Sequence, residues 1–280
     1  MENYKRIPVS VLIMTQNEEA NIKYALDSVN ECFDEIIVCD SFSTDNTLQI
    51  INQYSNVKLF HNEFVNWAEQ RNWILKNCDI KNQYVFFLDA DELIDEHFYN
   101  ELKGIIESNT EFSAIYLKIK FIFLGKWLRY AYGHPNIRRI FNKSDLTFLA
   151  NGAREYAQVN SDLPEITLNS RLIHQDRKPI DNWVMKHLRN STREVNAIND
   201  NEEISIKKLP YKLQAKLFIR NKIWNKLPSV IKLVMYFNHR YIIKLGFLDG
   251  YKGFIYVFLH SFWYQLMIDI KLIENKINKQ

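Results

Sequence analysis

The chain has 280 residues, 47% of them hydrophobic and 25% charged, with a formal net charge of +3. That composition points to a globular, soluble-type core, and the length is enough for one large α/β domain, alone or with a substantial appendage. Seven Gly and six Pro leave little material for linkers or low-complexity segments. Cys32, Cys39 and Cys78 show neither metal-type spacing nor an even count; they read as reduced thiols of a cytosolic protein. Met1 to Pro8 carries no signal-like apolar stretch, so export is not expected.

Val9 to Met14 is a continuous apolar run rich in β-branched residues, the pattern of a strand buried on both faces. Asn17-Glu18-Glu19 then opens a helical pattern with Ile22, Ala25, Leu26 and Val29 on one face. Glu35 to Cys39 reads as a second strand, about Asn46 to Tyr54 as a helix, and Val57 to Phe60 as a third strand. A helix from about Trp67 to Lys76 and a fourth strand, Tyr84 to Leu88, follow. Alternating strands and helices argue for a mostly parallel sheet with helices on both faces. Beyond the helix Asp95 to Glu107 the pattern changes to strands at Ala114–Leu124, Asn136–Phe141, Glu155–Val159 and Ile166–Ile173. From Pro179 onward it turns helical. A soft boundary falls near residues 175–205. The expected organisation is a catalytic-type domain over 1–200, divided at about 95 into two halves, and a basic, aromatic-rich helical region over 201–280.

In open parallel sheets ligands bind beyond the carboxyl ends of the strands. Three polar clusters fall there: Thr15-Gln16-Asn17, Asp40-Ser41 and Asp89-Ala90-Asp91. On an extended segment, residues i and i+2 project to one side. Asp89 and Asp91 would then hold a hard divalent cation able to bridge a diphosphate. The alternative, capping of the next helix, suits Asp95 better. Two roles are open to Asp40: accepting from a base imide or ribose hydroxyl, or closing a turn with Ser41 or Ser43. Arg71 either reaches a phosphate or base, or is an exposed helical arginine paired with Glu69 or Glu63. His174 ends an apolar strand and either completes a metal shell or is structural. Lys186 and Arg189, three apart on a helix, either neutralise a leaving diphosphate or form a solvated basic face.

Pro8–Glu19, Ile37–Thr47 and Phe87–Glu92 together resemble family 2 glycosyltransferases, and bacterial lipopolysaccharide-core glucosyltransferases within them; Gly246–Phe254 is similar to a segment such enzymes carry near the C-terminus. The resemblance implies a GT-A fold (Rossmann-like, with a mostly parallel central sheet) plus a helical C-terminal extension. It implies a UDP-sugar donor, Mn²⁺ or Mg²⁺, and inversion at the anomeric carbon. It also implies that Asp40 touches the uracil or ribose, and that Thr15 and Glu18 line the nucleoside pocket with Arg71 assisting; Gln16, Asn17 and Ser41 beside them are further nucleotide-sugar-binding candidates. Asp89 would lie near the ribose and Asp91 would bind the metal, with Ala90 between them a further nucleotide-sugar-binding candidate. Where the family often has His-Glu, this chain has Arg154-Glu155, and Glu155 becomes the candidate general base, the alternative being a strand glutamate paired with Arg154 or Arg138. Asp176 is the next candidate.

Between Ile204 and Leu248 there is no Asp or Glu, and ten Lys or Arg. Lys212, Lys216 and Arg220 recur beside Leu213, Leu217 and Trp224, which suits an anionic membrane surface, with Trp224, Phe237 and Trp263 as apolar anchors. No nucleic-acid motif is present, so nucleic acid is not an expected partner. Gly253 to Ile268 is nearly all apolar but short for a membrane span. The leading expectation is transfer of a hexose to a lipid-linked glycan by an enzyme peripheral to the inner membrane face. The same chemistry on a protein, peptide or capsular acceptor, or a non-catalytic nucleotide-sugar-binding or scaffold protein, are the alternatives.

Overall fold

Strand β1 (Ile7–Thr15) is buried along almost its whole length, as a continuous apolar run in the middle of a sheet requires. The computed structural model describes residues 5–133, 135–144, 146–151, 154–199 and 227–278. It divides into two units: residues 1–127, 134–148 and 157–178 in the first, and 128–133, 149–156 and 179–280 in the second.

In the first unit β1 lies between β2 (Phe33–Asp40) and β4 (Tyr84–Asp89), parallel to both, and β3 (Val57–His61) continues the parallel set beyond β2. Register brings the polar strand ends level: Thr15 pairs with Asp40, and Met14 with Asp89. β8 (Asn136–Asn142) runs antiparallel between β4 and β6 (Ala114–Phe123). β11 (Glu165–His174) is parallel to β6, and the two-residue β5 (Glu92–Leu93) closes the order, pairing His174 with Glu92. β7 (Lys126–Trp127) folds back on β6, while β9 (Leu146–Asn151) and β10 (Arg154–Val159) pair with each other.

Helix α1 (Ile22–Val29) buries Ile22, Ala25, Leu26 and Val29, the face its periodicity marks. It begins later than Asn17 because Asn17 has φ 55°, a left-handed conformation that a right-handed helix cannot contain. α2 spans Thr47–Ile51 and α3 Trp67–Asn77. α4 (Glu96–Glu107) is capped by Asp95, whose carboxylate accepts from Phe98 N at 2.9 Å. Phe98 stacks on Phe86 in the core.

The second unit contains α5 (Ile180–Asn199), α6 (Ser229–Asn238), α7 (Gly250–Val257) and α8 (Tyr264–Ile277). Lys271 joins α8 to α5 by donating to Leu188 O, Ser191 Oγ and Thr192 Oγ1. Lys232 on α6 is buried and pairs with Asp269 at 3.2 Å. Arg240 lies near His260 Nδ1 and over the rings of Tyr236 and Tyr256. Lys232, within the acid-free stretch, thus turns inward to a buried carboxylate from outside that stretch. Lys207, Lys208, Lys212, Lys216, Arg220, Lys222, Trp224 and Lys226 lie outside the described residues. No helix among the described residues is long and apolar enough to cross a membrane. The three cysteines are buried and unbridged.

Candidate active site

The loops after β1 and β2 lock together through side chains. Asn17 N donates to Ser43 Oγ, Glu18 N to Thr47 Oγ1 and Glu19 N to Asp45. Asn17 Oδ1 accepts from Thr44 N at 2.8 Å, and Gln16 Nε2 donates to Ser41 O at 3.2 Å. Each bond spans the strand-end gap, so the polar tips of β1 and β2 behave as one ledge.

Asp40 is fully buried beneath that ledge. Thr15 Oγ1 donates to it at 2.9 Å, Ser43 N at 2.8 Å and Ser43 Oγ at 2.5 Å, so the turn-closing role is present in the structure. Ser41 Oγ accepts from Gln70 Nε2, which also reaches Cys39 Sγ.

Asp89 and Asp91 part company, which corrects the premise that they share one side of an extended segment. Asp89 ends β4, but Ala90 and Asp91 form a turn into β5. Asp89 faces arginines: Arg71 at 3.4 Å and Arg139, whose Nη1 lies 3.2 Å from Oδ1 and whose Nη2 also bonds Oδ2. Burial works to raise the Asp89 pKa, but the two guanidiniums overcome it and hold the carboxyl below its ordinary value. Arg71 is buried, not an exposed surface arginine, and stacks over Phe87 and Phe148. Arg139 Nη2 also donates to the buried Glu92 at 2.8 Å, and Glu92 accepts from Asp89 N.

Asp91 instead faces His174. His174 Nε2 lies 3.4 Å from Asp91 Oδ2, and its Nδ1 3.6 Å from Glu92 Oε1. Burial works to lower the histidine's pKa, but Asp91 and Glu92 prevail and push it up to about 10. Gln175 N donates to Asp91 O, tying the end of β11 to this turn. The segment after β11 also returns to the first loop. Lys178 Nζ bonds Glu18 at 2.6 Å, Asn21 Nδ2 bonds Asp176 at 2.9 Å, and Arg177 stacks on Tyr24. Burial raises the pKa of Glu18; Lys178 opposes this and Asp91 adds to it.

Thr15, Gln16, Asn17, Glu18, Asp40, Ser41, Arg71, Asp89, Ala90, Asp91 and His174 all belong to the first unit, on the ends of β1, β2, β4 and β11 or, for Arg71, on α3. Glu155, half-buried on β10, and Lys186 and Arg189 on α5 belong to the second. Arg139, Glu92 and Lys178 were not singled out from sequence. For Glu92 the available signal was an acid close after the apolar strand β4; Arg139, in a strand of mixed polarity, and Lys178, in the segment after β11, carried none. Among the described residues no three His, Cys, Asp or Glu side chains form a ready metal cluster. Asp91 would offer an oxygen, and His174 a nitrogen once a cation displaces its proton, to a cation whose other ligands come from a diphosphate and water.

The chain is similar to several known proteins. A Rickettsia bellii protein described as an uncharacterized glycosyltransferase is 30% identical over 118 residues, 42% of this chain and 39% of that one. The chain therefore spans about two fifths of that relative's length. The lipopolysaccharide core biosynthesis glycosyltransferase LpsC of Rhizobium meliloti is 24% identical over 275 residues, covering 91% of this chain and 90% of LpsC. The fold matches a mannosyltransferase from Pyrobaculum calidifontis, solved with GDP-Man and Mn²⁺, at a TM-score of 0.54, 16% identity and coverage of 97% and 88%. The model of Glycosyl transferase family 2 matches residues 10–158, more than half of the sequence, and the chain belongs to that family.

Proposed function

We propose that the protein is an inverting glycosyltransferase that moves a hexose from UDP to a hydroxyl of a lipid-linked glycan of the lipopolysaccharide-core kind. The observation that carries this is the division of labour at the strand ends. One acid, Asp89, is neutralised by Arg71 and Arg139, and the next, Asp91, is left facing His174. A nucleotide site needs that asymmetry: a rigid floor for the nucleoside, and an oxygen and nitrogen pair for a cation at the diphosphate. LpsC, similar along almost its whole length, supports the acceptor class.

In this proposal Asp91 and His174 hold Mn²⁺ or Mg²⁺, which when bound would offset charge on the leaving diphosphate. Asp40 and Thr15, with Gln16, Asn17, Glu18 and Ser41, shape the nucleoside ledge. Arg71 keeps Asp89 ionised and in place. Lys178, bonded to Glu18, holds the returning segment against that ledge. Glu155 is assigned as the base that removes the acceptor hydroxyl proton while the hydroxyl oxygen attacks the anomeric carbon. Lys186 and Arg189 are assigned to the diphosphate's charge. The acidless stretch 204–248 is read as the side of the protein that meets an anionic membrane at its inner face.

The test is UDP release from UDP-hexoses with and without a lipid-anchored core oligosaccharide. Release should rise with acceptor, and Glu155→Gln should lower kcat by about 10²-fold or more while nucleotide affinity stays near wild type. An unchanged kcat would remove Glu155 from the chemistry and make Asp176 the next base. Transfer only to a peptide or soluble glycan would replace the acceptor class. Binding of the nucleotide sugar without any turnover would favour a non-catalytic module.

A further inference from the structure

Soluble helices point their polar side outward. α6 and α7 do not. On α6 the exposed positions are Val230, Ile231, Val234 and Met235, spaced as one helical stripe, with Val230 70% exposed. On α7 and just beyond it they are Tyr251, Phe254 and Phe258, with Tyr251 77% exposed. The reversal between the helices continues the pattern. Ile242, Ile243, Leu245, Phe247 and Leu248 are all exposed, Ile243 at 70%. The opposite faces bury Leu233, Tyr256 and Val257, and the one charge there, Lys232, is paired with Asp269. A helix pair with this apolar outer face needs an apolar medium on its open side, because an exposed patch of this extent is rare on a monomeric soluble protein.

The reversal itself is rigid. His239–Ile243 is a π-helical turn, and Gly246–Asp249 a 3₁₀ turn. Asp249 is buried and accepts from the backbone N–H groups of Arg129, Tyr130 and Ala131 at 3.1, 2.8 and 2.7 Å. A Cβ on Gly253 would lie 2.5 Å from Asp249 Cβ, and one on Gly246 would lie 2.7 Å from Arg240 O. The apolar apex is thus held out on a tightly packed base.

Charge decides what covers it. Asp249 is the only carboxylate between residues 227 and 268 in the sequence, and it is buried. Exposed Lys244 sits within the apex, and half-buried Lys252 follows it. Between residues 227 and 268 the charged side chains that are not buried, Arg240, Lys244 and Lys252, are all basic. A second copy docked here about a two-fold axis would oppose like charges. A bilayer with anionic headgroups accepts the apolar apex and pairs with exposed Lys244, whose stem can lie along the apolar surface.

We propose that residues 230–258 form a hairpin that enters one leaflet of an anionic membrane at its Ile242–Leu248 apex, lying in the bilayer surface and not crossing it. This deepens the lipid-linked acceptor reading and rests on it for its purpose. It differs from an electrostatic tether alone because the apolar apex, rather than the basic run ahead of it, provides the anchoring.

The experiment is co-sedimentation of the full-length protein with phosphatidylcholine vesicles with or without phosphatidylglycerol, with UDP-hexose hydrolysis measured separately without vesicles. Wild type should partition onto the anionic vesicles, and raised salt should weaken binding only in part. The triple variant Ile242→Ser, Ile243→Ser, Phe247→Ser should lose at least about tenfold in partition while retaining hydrolysis. Tyr251→Trp, a single exposed change, should show blue-shifted emission with anionic vesicles, which keeps the test informative if the triple variant misfolds. Wild type ignoring anionic vesicles at low salt would overturn the proposal, as would equal partition of the triple variant or unshifted emission of Tyr251→Trp. A wild-type dimer that the triple variant converts to monomer, without vesicle binding, would assign the face to a second copy. Loss of hydrolysis in the wild type would instead strike the glycosyltransferase reading and leave the docking result standing.

Discussion

Arg139 donates to Asp89 and to the buried Glu92, and two carboxylates in such proximity require a cation between them. Arg139→Leu should lower stability by about 2–3 kcal/mol, less than for a fully buried pair because Asp89 retains some exposure, and Arg139→Lys should lose less. Urea unfolding measures both; an unchanged midpoint for Arg139→Leu would show that the carboxylates are compensated elsewhere. Glu35 offers a cleaner titration, away from the proposed metal site. It accepts from Lys58 Nζ at 2.7 Å, from Lys81 N at 2.9 Å and from Ser10 Oγ. Burial favours the neutral acid, but these partners outweigh it and depress its pKa. A depressed folded-state pKa stabilises the fold above the unfolded value of about 4.3, and that stability is lost as pH falls through the folded value. Wild type should therefore lose melting temperature more steeply than Glu35→Gln as pH falls below about 4.3. Parallel curves would contradict the assignment. At this scale the sequence exposes the first polar residue after each apolar run, which is why Thr15, Asp40, Asp89 and Asp91 were visible. Arg139 was not: its partners lie about fifty positions upstream, and nothing local announces them.

The position of Arg139 follows from an element whose neighbours sequence periodicity does not reveal. β8 enters antiparallel between β4 and β6, and the sequence of β8 carries no mark of which strands it joins. The first four strands and their helices were legible because continuous apolar runs and 3.6-residue periodicity are local signals. β9 was not, since Leu146–Asn151 is short and mixed in polarity. The two-residue β5 and β7 offer too little pattern to read. The Gly246–Phe254 segment was visible only as a resemblance, and packing now explains it. Asp249→Ala would leave three backbone amides without their carboxylate and should cost on the order of 3 kcal/mol. Gly253→Ala should be comparably damaging because its Cβ would fall within 2.5 Å of Asp249 Cβ. Denaturant melts check both. Wild-type stability for either would show that the segment 128–133 is not held through Asp249.

At the scale of the whole molecule, the family was legible because its strand-end motifs cluster in the first 95 residues. The acceptor side was less so, because acceptor contacts have no fixed local pattern. The central claim is a nucleotide-sugar site with a cation held by Asp91 and His174. It is tested most directly by the melting temperature of wild type and Asp91→Asn across a panel of nucleotide sugars, with and without Mn²⁺. Ligand at about 100 times its Kd adds about 2.7 kcal/mol, enough to be read as a shift of several degrees. The predicted result is a shift for wild type with a UDP-hexose that requires Mn²⁺ and vanishes in Asp91→Asn, while the unliganded melting temperatures of the two proteins stay close. A shift of equal size in chelator, an undiminished shift in Asp91→Asn, or no shift with any nucleotide sugar would contradict it.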